Sequence, residues 1–127
     1  GVHDLLQVTD VFLPNAAEAL AITRQADLAR AALDLGARAG IVAVKLGAEG
    51  ALGIQSGHLA RVASLSVRLV DSIGAGDSFD AGFIYGYLQG WDLERCLRLA
   101  AVCGALSTQA AGGTDAQPTL EASLRLM

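Results

Sequence analysis

The chain has 127 residues and a formal net charge of −4, and 53% of its residues are hydrophobic while only 5% are aromatic. That length suits one domain with its own core, and a mean hydropathy of +0.45 excludes an intrinsically disordered chain. The basic residues are scattered, which argues against nucleic-acid binding, and no apolar run is long enough to cross a bilayer. Because no signal-peptide pattern is present either, we expect a cytoplasmic protein.

The first predicted strand is the apolar run Val11–Leu13, which ends at Pro14. Asn15 follows as a good helix N-cap, and Glu18 stands three residues later. This spacing is that of a capping box, in which each side chain accepts a hydrogen bond from the backbone N–H of the other residue. The spacing alone therefore favours a structural role for the pair.

A helix and a second strand follow. Residues 27–35 carry apolar side chains on one helical stripe, and Gly36 is placed to end that helix. Residues 41–44 are continuously apolar, as expected of a parallel strand that is buried on both faces. Strand, helix and strand of these lengths predict a right-handed βαβ unit.

The segment from Lys45 to Gly50 comes directly after that second strand. Open α/β sheets bind ligands at the carboxyl ends of their strands, so the segment is a candidate ligand loop. A hairpin turn bounded by glycines is the other interpretation, because residues 51–54 and 59–62 alternate as two strands should. The local pattern leaves both interpretations open.

The stretch 70–82 is the most informative part of the chain. A strand-like run at 67–70 leads into a turn of small residues, and a helical pattern begins near Phe79. Bare amides at such a helix start suit an anion, phosphate above all, and Asp77 would point a carboxylate at it. This combination is typical of phosphoryl transfer, although a plain strand-to-helix turn has the same local pattern.

The helices after this turn carry small residues and two cysteines. Gly82 and Gly86 are spaced for close packing against another helix, and Asp92 is placed to cap the next one. Cys96 and Cys103 are seven residues apart on that helix, roughly 10 Å along its axis, which is too far for a disulfide. We expect both thiols to be reduced and buried. A glycine-containing loop at 108–113 precedes a short final helix.

The sequence DSIGAGDSF at residues 71–79, with Gly82 after it, resembles the C-terminal signature of the ribokinase (PfkB) family of carbohydrate kinases. The resemblance implies that Asp77 is the base that deprotonates the sugar hydroxyl. It also implies that the amides of Gly74, Ala75 and Gly76 form the anion hole for the transferred phosphate. Ser72 and Ile73 replace the threonines that are usual there.

The same resemblance assigns further residues to ligands. Asn15 and Glu18 match an Asn-x-x-Glu motif that holds Mg²⁺ largely through water, a role compatible with a capping box. The nucleotide-binding set that it implies is Asn15, Lys45, Gly47, Gly50 and Gly76, with Lys45 at a position where threonine is common. A monovalent cation, K⁺ as the candidate, is implied at Asp71, Ile73, Thr108, Ala111 and Gly113. Ala101 stands where an asparagine near adenine is frequent.

Residues 1–127 are accordingly expected to form the C-terminal part of a ribokinase-like three-layer α/β/α domain with a mostly parallel sheet. The sugar-binding part and the lid of such a domain have no counterpart in the sequence. The implied activity is ATP-dependent phosphorylation of a hydroxyl on a sugar or related small molecule, and we expect these residues alone to be inactive. A nucleotide-binding module without catalysis and a structural fragment that forms a homodimer are the alternatives.

Overall fold

The computed structural model describes residues 10–64, 75–107 and 120–127. The four strands in these ranges are β1 (Val11–Phe12), β2 (Ile41–Lys45), β3 (Ala51–Gln55) and β4 (His58–Val62). The five helices are α1 (Ala16–Thr23), α2 (Leu28–Gly36), α3 (Ala75–Leu88), α4 (Leu93–Ser107) and α5 (Leu120–Arg125), and a 3₁₀ turn spans Gly47–Glu49. The strand predicted at 67–70 and the loop predicted at 108–113 lie outside the described residues.

The described strands form one mixed sheet in the order β1-β2-β3-β4. β1 and β2 are parallel, as the predicted βαβ unit requires, with Val11 opposite Ile41. β2, β3 and β4 are antiparallel neighbours, with Val42 opposite Ile54. The connections between these last three strands are too short for a crossover, so each strand must reverse direction. Parallel pairing within the described strands is therefore confined to β1 and β2.

Helices cover both faces of this sheet, which gives three layers. Val42 and Val44 of β2 pack on one face with α1 and α2, in a cluster that also contains Ala19, Ala31, Ala32, Leu35, Ala39, Leu52 and Ile54. Ala43 points to the other face, in a cluster with α3 and α4 that contains Ala51, Ala60, Val62, Phe79, Phe83, Leu93, Cys96, Leu97, Ala100 and Ala101. Burial on both faces explains why the first four residues of β2 are all apolar.

Helices α3 and α4 approach each other closely at the two predicted glycines. A Cβ atom added to Gly82 would lie 2.9 Å from the Sγ atom of Cys103, and one added to Gly86 would lie 2.9 Å from that of Cys96. Both cysteines are free and buried, as predicted. Burial raises the pKa of each thiol, and for Cys96 the nearby Asp92 carboxylate raises it further while Arg95 lowers it. Two neutral thiols thus fill the space that the glycines leave.

Polar side chains close several helix ends. The side chain of Asp92 accepts a hydrogen bond from the Arg95 N–H at 2.8 Å, which confirms its predicted place at the start of α4. Asp27 accepts one from the Ala29 N–H at 3.2 Å at the start of α2. None of the helices in the described ranges is long and apolar enough to cross a membrane.

Candidate active site

Two of the predicted site residues, Asn15 and Lys45, lie at the carboxyl ends of β1 and β2. Asn15 follows β1 after Pro14 and forms an isolated parallel bridge with Lys45, the last residue of β2. The Lys45 N–H donates to the Pro14 carbonyl at 3.0 Å, which fixes the two chain segments side by side. This edge is where open α/β sheets hold their ligands. The parallel pairing of β1 and β2 therefore brings together two residues that are thirty positions apart.

Asn15 and Glu18 form a complete capping box at the start of α1. The Glu18 N–H donates to Oδ1 of Asn15 at 2.8 Å, and the Asn15 N–H donates to Oε1 of Glu18 at 2.9 Å. The capping role predicted from the spacing is thus confirmed. It accounts for two of the amides that a helix start leaves without partners.

The same two side chains fit an outer contact to Mg²⁺ better than a direct one. Their carboxylate and amide oxygens are the hard donors that this ion prefers, and the hydrogen bonds between them lie in an exposed part of the surface. No group of three or more histidine, cysteine, aspartate or glutamate side chains in the described part of the chain is arranged to hold a metal. Contacts through metal-bound water suit this pair, since Mg²⁺ usually keeps several waters.

Lys45 reaches from the sheet to helix α3. Its Nζ atom lies 3.0 Å from Oδ1 of Asp80, and the two side chains are 19% and 37% exposed. A Cβ atom added to Gly76 would lie 3.9 Å from the same Nζ atom. The ammonium group of Lys45 is therefore beside the first turn of α3, where phosphate binding was predicted. Asp80 was missed in the sequence. No local signal points to it, because the two residues are 35 positions apart and meet only through the packing of α3 against the sheet.

The first turn of α3 exposes the residues predicted to handle the phosphoryl group. The helix begins at Ala75, and both Gly76 and Asp77 are exposed. Asp77 lies in this first turn, where the helix dipole stabilises a negative charge. The next two residues, Ser78 and Phe79, are buried and anchor the turn to the rest of the domain. Gly74 lies outside the described residues.

The segment between Lys45 and Gly50 is the connection of a β-hairpin, so that interpretation is confirmed. The Leu46 N–H donates to the Gly50 carbonyl at 2.9 Å across it. Gly50 has φ +98°, and an added Cβ would lie only 2.0 Å from the Val62 carbonyl oxygen. Gly47 has φ +61° and nothing within 4 Å of an added Cβ. The fold therefore requires glycine at position 50, whereas a side chain at position 47 would meet no steric obstacle among the described residues. Their nucleotide role stays a prediction.

Comparison with known proteins assigns the family. A family model of pfkB carbohydrate kinases matches residues 1–120. The chain belongs to this family. Among pfkB relatives, an uncharacterized sugar kinase of Archaeoglobus fulgidus is 38% identical over 120 residues, which are 92% of this chain and 47% of that protein. The 2-dehydro-3-deoxygluconokinase of Bacillus subtilis is 38% identical over 128 residues, which are 94% of this chain and 38% of that protein.

A solved structure agrees with the pfkB assignment and with the predicted ribokinase-like fold. A protein from Escherichia coli, named as a ribokinase II and solved with ATP and Mg²⁺, superimposes with a TM-score of 0.85 at 29% identity. The match covers 99% of this chain and 42% of that protein. The chain thus spans less than half the length of each relative it is compared with.

Two further expectations from the family resemblance concern a cation site and the position of Ala101. The residues predicted to hold a monovalent cation lie outside the described ranges: Asp71, Ile73, Thr108, Ala111 and Gly113. Ala101 is buried in the cluster between the sheet, α3 and α4, where it is 6% exposed. The side chain at this position of α4 is therefore part of the hydrophobic core.

Proposed function

We propose that this chain carries the phosphoryl-transfer half of a kinase that phosphorylates a hydroxyl of a sugar or related small molecule with ATP. The observation that carries the proposal is the convergence of Asn15, Lys45 and the exposed first turn of α3 at one end of the sheet. Membership of the pfkB family supports the reaction class. The ATP and Mg²⁺ in the similar Escherichia coli structure support the choice of donor.

In the proposed mechanism Asp77 takes the proton from the acceptor hydroxyl. The hydroxyl oxygen forms a bond to the γ-phosphorus, and the bond from that phosphorus to the bridging oxygen breaks, so ADP leaves with the bridging oxygen. The amides of Gly74, Ala75 and Gly76 donate to the phosphoryl oxygens and stabilise their charge. A carboxylate is a suitable base here because its only task is to accept one proton from a bound hydroxyl.

Other residues of the proposed site bind rather than react. Asn15 and Glu18 would hold Mg²⁺ through water, and the ion would neutralise part of the triphosphate charge. Lys45, Gly47 and Gly50 would line the nucleotide site at the carboxyl end of β2. A monovalent cation, with K⁺ as the candidate, would bind to the residues that the family resemblance assigns to it: Asp71, Ile73, Thr108, Ala111 and Gly113.

A nucleotide-binding role without transfer is the second candidate. It is favoured by the described residues of the proposed site, which apart from Asp77 all belong to its phosphate side. A structural role is a third candidate, since Ile84, Tyr87 and Leu88 expose apolar surface on α3. Which sugar is bound is a property of the whole protein.

The test is a phosphorylation assay on the full-length protein with ATP, Mg²⁺ and a panel of sugars, sugar acids and nucleosides. We expect one class of acceptor to yield ADP and a phosphorylated product. Asp77→Asn should lower kcat by about 10²–10⁴, the typical contribution of a positioned base. Asp10→Asn, which removes another exposed carboxylate, is the matched control and should keep full activity.

Each contrary result has a distinct meaning. An Asp77→Asn variant as active as the wild type would contradict the assignment of the base. ATP binding without transfer to any acceptor would replace the kinase proposal by the binding role. A protein that neither binds ATP nor transfers phosphate, and elutes as a dimer at low concentration, would favour the structural role.

A further inference from the structure

The ion pair between Lys45 and Asp80 differs from the others in the described residues. The other pairs each join residues only three or four positions apart, within a helix or at its end: Arg30 with Asp27, Arg38 with Asp34, Arg98 with Glu94 and Arg125 with Glu121. Lys45 and Asp80 are 35 positions apart and join the sheet to α3. At 19% side-chain exposure, Lys45 is also the least exposed cation among these pairs.

The position of this cation is electrostatically unusual. The Nζ atom of Lys45 lies beside Gly76, in the first turn of α3. The N-terminal end of a helix carries a partial positive charge, so it favours anions and disfavours an ammonium group. A partly buried cation at this place therefore needs anionic partners. Asp80 supplies one of them at 3.0 Å.

The geometry of the described residues leaves capacity for a second anion. An ammonium group has three N–H donors, and among the described residues the Asp80 carboxylate takes one of them through Oδ1. Gly76 has no side chain to cover the space between this ammonium group and the helix start, and the residue is exposed. A multiply charged phosphoryl group bound at the α3 amides would lie within reach of the remaining donors.

We infer that Lys45 contacts the phosphoryl group of the nucleotide and that Asp80 is a positioning residue that holds the Lys45 ammonium group beside the first turn of α3. This inference rests on the proposed phosphoryl transfer and adds two named roles to it. Asp80 acts through Lys45 and takes no part in proton transfer. An ion pair that only ties the sheet to α3 is the competing explanation.

The two explanations predict different results for Lys45→Met. If Lys45 contacts a phosphate, ATP binding weakens about ten- to a hundredfold, the usual worth of a hydrogen bond between charged groups. Adenosine binding, which involves no phosphate, stays within twofold of the wild type. If the pair is only structural, both ligands lose affinity alike or neither does.

Asp80→Asn separates positioning from binding. Without the carboxylate the lysine is less well placed for the transferring phosphoryl group, so kcat should fall about tenfold. The affinity for ATP should stay the same or rise, because a negative charge near the triphosphate has been removed. The matched control is Asp34→Asn, which breaks a partly buried ion pair of 3.2 Å on α2 and should change neither parameter.

A double variant distinguishes the loss of a ligand contact from a loss of stability. Lys45→Met with Asp80→Asn removes both charges and leaves neither buried alone, so its thermal unfolding midpoint should return toward the wild type. Its ratio of ATP to adenosine affinity should stay as low as that of Lys45→Met. Recovery of that ratio together with stability would overturn the inference, as would single variants that match the wild type in both kcat and ATP affinity.

The wild-type protein distinguishes this failure from that of the proposed function. A wild type that phosphorylates its acceptor while the Lys45 and Asp80 variants behave like the Asp34→Asn control overturns only the roles of the two residues. A wild type that neither binds ATP nor transfers phosphate overturns both proposals together.

Discussion

Helices α1 and α3 begin at the same end of the sheet, yet their first turns are occupied in different ways. In α1 the side chains of Asn15 and Glu18 each accept a hydrogen bond from the other residue's backbone N–H. In α3 the first turn contains Gly76, which has no side chain, and the group that faces it is the ammonium of Lys45. One helix start is closed by its own residues, and the other is approached by a residue from the sheet.

This difference shows how far a local motif determines a role. Both starts place a carboxylate in the first turn, at Glu18 in α1 and at Asp77 in α3. Glu18 already accepts a hydrogen bond from the backbone N–H of Asn15, whereas Asp77 is exposed and follows Gly76, which the Lys45 ammonium group approaches. Tertiary neighbours therefore distinguish two helix starts that share the same local pattern.

The largest loss of stability is expected from a substitution in the loop that follows Lys45, the residue that approaches the start of α3. Gly50→Ala puts a side chain at φ +98° and within 2.0 Å of the Val62 carbonyl oxygen, so the hairpin must shift. We expect the free energy of unfolding to fall by at least about 3 kcal/mol, measured by urea denaturation.

Gly47→Ala is the matched control in the same loop. Its φ of +61° also disfavours a side chain, but nothing lies within 4 Å of the added Cβ. The expected loss is about 1–2 kcal/mol. Equal losses for the two variants would mean that the close approach to Val62 does not determine the path of the chain beyond Lys45.

These contrasts also separate what the sequence predicts from what it does not. The capping box, the two packing glycines and the approximate bounds of β2 depend on spacing within a few residues, and each was predicted. The contact of Lys45 with Asp80 depends on how α3 packs back over β2, so no local pattern contains it. The hairpin after β2 was left open, because a glycine-bounded turn and a ligand loop have the same residues.

The sheet gives a second example. Continuous apolar character in β2 correctly predicted burial on both faces, but it does not report the direction of the next strand. The five-residue connection from Lys45 to Ala51 makes β3 antiparallel, and the Ser56–Gly57 turn, with φ of 51° and 78°, does the same for β4. The pattern of a strand thus predicts its burial better than its pairing.

A smaller effect tests whether the start of α1 is only structural. Asn15→Ala removes the side chain that caps α1 and should lower the free energy of unfolding by about 1 kcal/mol. Asp27→Ala, which removes the cap of α2 and has no proposed contact with the metal, should cost a similar amount. ATP affinity in the presence of Mg²⁺ should fall only for Asn15→Ala, because only that residue is proposed to serve the metal.

Two contrary results would change the interpretation of the α1 start. An Asn15→Ala variant that loses stability but keeps its ATP affinity would make the α1 start purely structural. An Asp27→Ala variant that loses as much ATP affinity as Asn15→Ala would mean that the effect comes from general loosening of the α1 and α2 layer.

The smallest effect on stability is expected from the buried thiol of Cys96, which packs from α4 against α3. The pKa of Cys96 is raised above its ordinary value of about 9 by burial and by Asp92, so the folded protein keeps this thiol neutral where the unfolded chain would ionise it. The stability that results is fully present below pH 9 and is lost as the pH rises toward the folded-state pKa. Urea denaturation at several pH values from 7 to 10 should therefore show a steeper alkaline loss for the wild type than for Cys96→Ala, since the rest of the sequence is the same in both. Parallel pH profiles would show that the stability of the contact between Cys96 and Gly86 does not depend on the charge of the thiol. The close packing of α3 against α4 would then be stabilised by shape complementarity alone.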